Sequence, residues 1–246
     1  MTKGTSLIHF NGIYTIPEDS NENDPRGATE PYRTEADIAK EAVGLKYGAT
    51  VLRKSATLIP KRKTLVLDLD ETLIHSSFEP SINSFTMPLM QNGVERTIYI
   101  NKRPYLDEFL SIISDIYDIV IFTAGLKSYA DPVIDAIDVN KVCKKRLFRD
   151  SCKFWNGYYI KDLEILNRPM KDVITIDNSP CCYCLNPDNA IPIETWFDDE
   201  NDSQLANLVP LLTRLAQAED VRNILASLFN NEFIFTRMTI GQIKKS

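Results

Sequence analysis

Apolar and polar positions along the chain fall into two rhythms. Thr64-Leu-Val-Leu-Asp68-Leu-Asp70 is a short apolar run ending in carboxylates, and Asp115-Ile-Tyr-Asp-Ile-Val-Ile-Phe-Thr123 and Asp172-Val-Ile-Thr-Ile-Asp177 repeat the design. Near-continuous apolar runs of this length predict strands buried on both faces. Helical spacing marks Pro104 to Ser114, Tyr129 to Ile137 and Ser203 to Gln217, the first opened by a proline where a helix start favours one. Strands separated by helices predict an α/β fold, a Rossmann-like parallel sheet flanked by helices on both faces. In such sheets ligands sit beyond the carboxyl ends of the strands, which is where Asp68, Asp70, Thr123 and Asp177 would collect.

Between the first strand and the first helix, Ser84 to Ile100 carries Asn92-Gly93 between strand-like runs, a hairpin signal. It reads as a β-hairpin insertion standing over the site. Upstream, Pro17 to Tyr32 is polar and rich in Pro, Asn and acid, with too little apolar surface to offset the entropy of ordering, so a flexible arm is expected. Thr34-Glu-Ala-Asp37 reads as a capping box, and Ile38, Ala42, Val43 and Leu45 continue at helical spacing toward Gly48. The expected organisation is a polar leader over 1–60 with one short helix, a main domain over 61–232 and a short tail over 233–246. No internal repeat is visible.

Composition narrows the functional classes. With 43% hydrophobic and 25% charged residues in 246, the chain suits one ordinary soluble domain. A formal charge of −6 argues against nonspecific nucleic-acid binding, which needs Lys and Arg on phosphates. No window approaches the roughly 18 apolar residues of a membrane span, and the start lacks a signal-peptide core. An intracellular protein, nuclear or cytoplasmic and monomeric, is expected. Five cysteines, an odd number, point to reduced thiols, and two histidines leave little room for a His-based metal cage.

Asp68 and Asp70 straddle Leu69. Two acids one residue apart do different work where the chain turns, one attacking phosphorus and the other handling the leaving-group proton. Such a pair needs a cation. Magnesium takes oxygen ligands and uses few carboxylates, so Asp68 and a second acidic strand end, Asp177-Asn178, suit it. Thr123 offers a donor to a phosphoryl oxygen, and a lysine would balance charge. An isolated Asp-x-Asp is usually a polar turn, but here three strand ends agree.

Asp68-Leu-Asp70-Glu71-Thr72-Leu73-Ile-His75-Ser-Ser resembles the signature of the small C-terminal-domain phosphatases of the haloacid-dehalogenase superfamily. The resemblance continues through Lys102-Arg-Pro-Tyr-Leu-Asp-Glu-Phe, Phe122-Thr123-Ala124, Tyr129-Ala-Asp-Pro, Leu147-Phe-Arg149-Asp, Tyr159-Ile-Lys161-Asp-Leu, Ile176-Asp177-Asn178-Ser179-Pro180, Asp188-Asn-Ala-Ile-Pro and Trp196-Phe-Asp, spanning roughly residues 63 to 229. It implies a haloacid-dehalogenase fold and a magnesium-dependent phosphatase with Asp68 as nucleophile and Asp70 as general acid, then base. It further implies that Thr123 binds the phosphoryl group, Lys161 neutralises the phospho-aspartate and Asp177 supports Lys161. Magnesium would be held by Asp68, the Asp70 main-chain carbonyl and Asn178. Thr72, Ala124 and Arg149 fall at substrate-side positions, and Phe78, Leu89, Ile98 and Leu126 around an apolar pocket beside the phosphate. The family acts mainly on phosphoserine in the heptad tail of RNA polymerase II, and related branches act on other phosphoproteins. A phosphorylated protein or peptide is therefore the expected partner. Gln91 stands where the family usually keeps an apolar residue.

Other patterns have simpler explanations. Cys143-Lys-Lys-Arg-Leu-Phe-Arg149 satisfies the Cys-x5-Arg pattern of cysteine phosphatases, but lacks the glycines of a phosphate-cradling loop, so a structural cysteine beside a basic surface turn is expected. Cys181-Cys182-Tyr-Cys184 lacks further zinc ligands and reads as small side chains in a turn. His75 reads as a packing residue. Pro60-Lys-Arg-Lys63 is equally a nuclear import signal or the solvated entry to the first strand. A phosphoprotein-binding module and a small-molecule phosphatase on the same fold remain alternatives.

Overall fold

The computed structural model describes residues 62–81, 83–91 and 93–229. The leader arm and its helix, as well as the tail, lie outside the described residues. At the centre is a five-stranded parallel sheet of order β10-β9-β1-β5-β6, formed by β1 (Thr64–Leu67), β5 (Asp118–Phe122), β6 (Cys143–Leu147), β9 (Val173–Asp177) and β10 (Ala190–Pro192). Register aligns Leu65 with Ile119 and Ile174, and Leu67 with Ile121 and Ile176, so each apolar run presents one row to each face.

The cover on the two faces is unequal. Leu65, Leu67, Ile119, Ile121, Ile174 and Ile176 pack with the apolar sides of α1 (Leu106–Ser114), α2 (Lys127–Ile137), α3 (Gln204–Ala216) and α4 (Val221–Phe229). On the opposite face Val66, Val120, Phe122 and Val173, with Leu147 of β6, pack with Leu163, Leu166 and Met170 from short 3-10 turns. Helices thus flank the sheet as the alternation of runs predicts, the α-helices on one face and 3-10 turns on the other.

The insertion forms a separate antiparallel sheet of order β2-β4-β3, from β2 (Ile74–Ser77), β3 (Phe85–Gln91) and β4 (Val94–Lys102). Gln91 pairs with Val94 and Gly93 has φ 77°, as the two-residue connection requires. A small hairpin, β7 (Lys153–Trp155) with β8 (Tyr158–Ile160), leads into Lys161. The chain moves outward from β1 through β5 to β6, then returns to β9 on the other side of β1. That reversal makes a switch point between the carboxyl ends of β1 and β9, the usual position of a ligand crevice.

β6 corrects one sequence expectation. Cys143 begins an edge strand instead of flanking a surface turn, and its Sγ donates to the Lys145 carbonyl. Leu147 and Phe148 are buried, leaving no phosphate-cradling loop between Cys143 and Arg149. Lys63 is also held down: its Nζ donates to Asp172 Oδ1 at 2.8 Å with the side chain buried, so this part of the basic run belongs to the entry of β1. Among the described residues, no helix is long and apolar enough to cross a membrane.

Arg103 ties the insertion to the body. It is fully buried, donates from Nε and Nη2 to the two carboxylate oxygens of Asp202 at 2.8 and 2.7 Å, and from Nη1 to the carbonyls of Thr72 and Glu194 at 3.2 and 3.1 Å. Removing one member of such a pair leaves a buried charge without a partner. Arg103→Leu is expected to lower the unfolding free energy by about 3–5 kcal/mol, read from urea denaturation; a loss below about 1 kcal/mol, the scale of a surface pair, would show that this link contributes little.

Candidate active site

β1 ends before its acids. Asp68 N still donates to the Ile176 carbonyl at 3.0 Å, continuing the pairing with β9. The chain then reverses: Leu73 N and Ile74 N both donate to the Leu69 carbonyl, Glu71 N to the Ile74 carbonyl, and Glu71 takes a left-handed φ of 57°. This tight turn separates the surroundings of two carboxylates that are one residue apart.

Asp68 meets a lysine. Lys161 Nζ lies 2.5 Å from Asp68 Oδ1 and 2.6 Å from Asp177 Oδ2, and all three side chains are buried. Lys161 is held there through its main chain, whose N–H donates to the Cys182 carbonyl at 2.7 Å. Asp177, the last residue of β9, also accepts from Ser179 N at 2.8 Å. Burial opposes the Lys161 charge, but Asp177 and then Asp68 outweigh it and hold the ammonium well above its ordinary pKa. Burial also pushes the Asp177 carboxyl up, against the pull of Lys161. At 2.6 Å the contact is that of an ionised pair. Asp68 Oδ2 is buried with no hydrogen-bond partner.

Asp70 meets hydroxyls. Tyr129 donates to its Oδ1 at 2.5 Å and Thr123 to its Oδ2 at 3.2 Å. Ser76 Oγ lies 2.6 Å from the Tyr129 hydroxyl, and Gly125 N donates to Thr123 Oγ1 at 2.8 Å. Burial, followed by the nearby Glu71 charge, raises Asp70 to about 7, so protonated and ionised carboxyl are both present near neutrality. A Cβ on Gly125 would stand 3.1 Å from Thr123 Oγ1 and 3.3 Å from the Tyr129 ring, so glycine lets this loop close against Asp70.

Residues 63–222 match the family model described as NLI interacting factor-like phosphatase. The chain belongs to that family. It is 49% identical over 178 residues to a probable C-terminal domain small phosphatase of Dictyostelium discoideum, covering 71% of this chain and 58% of that one. It is 46% identical over 168 residues to the human carboxy-terminal domain RNA polymerase II polypeptide A small phosphatase 2, covering 68% of this chain and 62% of the relative. It is also 46% identical over 167 residues to Phosphatase Herzog of Drosophila melanogaster, covering 68% of this chain and 47% of the relative. The chain thus spans about half to three-fifths of the length of these relatives. A solved structure of Fcp1, an essential RNA polymerase II CTD phosphatase, matches at 25% identity with a TM-score of 0.50, over 69% of this chain and 53% of that one.

Asn178, next to Asp177, accepts from Thr72 Oγ1 at 3.4 Å and donates to Thr195 Oγ1 at 3.1 Å. Thr72 and Ala124 are buried, and the Ala124 carbonyl accepts from Arg149 Nε at 2.6 Å. The structure therefore gathers Asp68, Asp70, Thr72, Thr123, Ala124, Arg149, Lys161, Asp177 and Asn178 around the carboxyl ends of β1, β5 and β9. The four apolar residues that the resemblance sets around a pocket beside the phosphate differ in burial. Leu89 and Ile98 are buried in the main core, Phe78 is half-buried against it under Arg96 at 5.5 Å, and Leu126 is 49% exposed at the start of α2.

His75 packs as expected, 3.4 Å from Glu71 Oε1 and edge-on to Phe197. Cys182 and Cys184 are buried in the turn after β9, and burial raises their thiols. Tyr129, Ser76 and Gly125 are site residues to which the sequence reading gave no role. One signal pointed to Tyr129: a polar-tipped ring in the first turn of a helix that starts at the carboxyl edge of a strand. Tyr129→Phe is expected to cost about 1–3 kcal/mol of folding free energy by leaving buried Asp70 Oδ1 without this donor. Equal melting temperatures for variant and wild type would show that the bond to Asp70 contributes nothing to stability.

Proposed function

We propose that this chain is a magnesium-dependent phosphatase of phosphoserine or phosphothreonine in proteins, working through a phosphorylated Asp68. The observation that carries this reading is the unpartnered Asp68 Oδ2, a buried carboxylate oxygen one residue from a second acid, Asp70, that burial raises to about 7. Lys161 holds the other oxygen of Asp68 and fixes which one is free to react.

Asp68 Oδ2 attacks phosphorus, the bond from phosphorus to the substrate oxygen breaks, and Asp70 gives its proton to the departing oxygen. Asp70, now a carboxylate, takes a proton from water as that water attacks the phospho-aspartate, which returns Asp68 and releases phosphate. Thr123 donates to a phosphoryl oxygen, and Lys161 balances charge on Asp68. Tyr129 holds the Asp70 carboxyl in place.

Among the described residues no three His, Cys, Asp or Glu side chains form a group that could hold a metal. The donors here are of another kind: the Asp68 carboxylate, the Asp70 main-chain carbonyl and the Asn178 side-chain oxygen, hard oxygens whose chemistry suits magnesium. Magnesium held there would offset negative charge on the phosphoryl group. The substrate reading, phosphoserine in the RNA polymerase II tail or a similar phosphoprotein, is supported by the human relative's name.

Hydrolysis of an aryl phosphate is expected to stop in chelator and to return with magnesium. Asp68→Asn should lower kcat by roughly four orders of magnitude, and Asp70→Asn by roughly two to four. Steady-state kinetics of variants with wild-type melting temperatures give the test. Activity that survives chelation but is lost on thiol alkylation would move the nucleophile to a cysteine.

A further inference from the structure

The hairpin β7–β8 carries an aromatic ladder that the site does not use. Phe154 pairs directly across from Tyr159, with ring centroids 5.1 Å apart, and the Arg149 guanidinium lies over the Tyr159 ring at 4.7 Å. Alternation along the two strands sends Trp155 and Ile160 the other way, where they pack with Cys184 and Leu185 of the body. Phe154 and Tyr159 thus share the outward face, and Phe154 is 65% exposed.

A single exposed apolar side chain needs no explanation. This one is the outer end of a structure fixed to the site at two points. Arg149 is bound to the phosphate-side loop by its main-chain N–H on the Gly125 carbonyl at 3.0 Å and its Nε on the Ala124 carbonyl at 2.6 Å. The same loop sets Thr123, through Gly125 N. At the other end Tyr159 is two residues before Lys161, whose ammonium touches Asp68. The ladder therefore starts at Arg149, on the phosphate side, and its steps of 4.7 and 5.1 Å place Phe154 within the reach of about three residues of extended chain from that guanidinium.

We infer that the outward face of this hairpin is a docking shelf for the phosphoprotein substrate, taking an apolar or proline side chain about three residues from the phosphorylated one. The inference rests on the phosphatase reading above and adds a recognition element to it. Three features fit an extended peptide better than a free metabolite. The Phe154 ring is exposed, it offers an aromatic face to proline or aliphatic groups without a deep pocket, and through Tyr159 and Arg149 it is continuous with the phosphate side. Tyr159, with Arg149 on one face and Phe154 against it, is preorganised, so little side-chain entropy is lost on docking.

The test compares kcat/KM for a phosphorylated heptad-repeat peptide with kcat/KM for an aryl phosphate, which is too short to reach Phe154. Phe154→Ala should lower the ratio of the two by about tenfold, the scale expected for losing one buried aromatic contact. Phe154→Leu should recover part of the loss. The peptide itself, with apolar residues about three positions from the phosphoserine changed to glycine, should lower the wild-type ratio and leave the Phe154→Ala ratio unaltered. Val139→Ala, an exposed position in the connection between α2 and β6, serves as the control and should not change the ratio. A Phe154→Ala ratio within twofold of wild type, with aryl phosphate turned over normally, would overturn the shelf alone. Absence of turnover on both substrates in the wild-type protein would overturn the phosphatase reading, and the shelf with it.

Discussion

The buried Lys161 between Asp68 and Asp177 is the interaction on which the rest of the site depends. A lysine 2% exposed is tolerable only because two carboxylates meet it within 2.6 Å. The two carboxylates are equally dependent on the lysine, because side by side at the ends of adjacent parallel strands they would repel in a medium that screens poorly. The clamp joins three parts of the chain distant in sequence: the end of β1, the end of β9 and the residue after β8. Breaking it would leave the hairpin tied to the body by the Lys161 N–H on the Cys182 carbonyl and by the packing of Trp155 and Ile160, but would take the cation from between Asp68 and Asp177.

The clamp also explains how two acids one residue apart acquire different character. Asp68 faces a cation and keeps one oxygen without a partner, whereas Asp70 faces hydroxyls from Tyr129 and Thr123 and is raised to about 7 by burial and by Glu71. One carboxylate is left with an open oxygen beside a cation, and burial raises the other toward holding a proton, the division of labour that paired acids need. The left-handed turn at Glu71 makes the division possible, since a continued strand would have sent both side chains to the same face. A buried acceptor left unsatisfied costs folding energy, and such costs concentrate where a ligand group completes the bonding.

Much of this was legible from the chain because parallel sheets put the carboxyl ends of their strands on one edge. The apolar runs ending in Asp68, Thr123 and Asp177 gave three positions of the site, and Asn92-Gly93 marked the insertion. β6 was missed because an edge strand half in solvent carries Lys144, Lys145 and Arg146 in place of an apolar run. The hairpin β7–β8 and the 3-10 turns that cover one face are too short for periodicity to register. α4 follows α3 after Gln217-Ala-Glu-Asp and lies inside the domain expected over 61–232, but no helix was assigned to it from the sequence. Lys161 sits in irregular chain, so only family resemblance singled it out. Tyr129 was visible as a helical residue, but its hydroxyl's position over Asp70 depends on the packing of α2 against β1 and β2. Leu89 and Ile98, which only the resemblance set beside the phosphate, are buried in the main core.

The most direct measurement of the central claim is chemical. Wild-type protein is mixed with a phosphopeptide carrying radioactive phosphate, quenched in acid during a single turnover, digested and mapped. Label that appears and then decays on the fragment containing Asp68, and is absent from Asp68→Asn, is the expected result. Label on a cysteine-containing fragment, or full release of phosphate with no labelled protein at any time point, would contradict catalysis through Asp68.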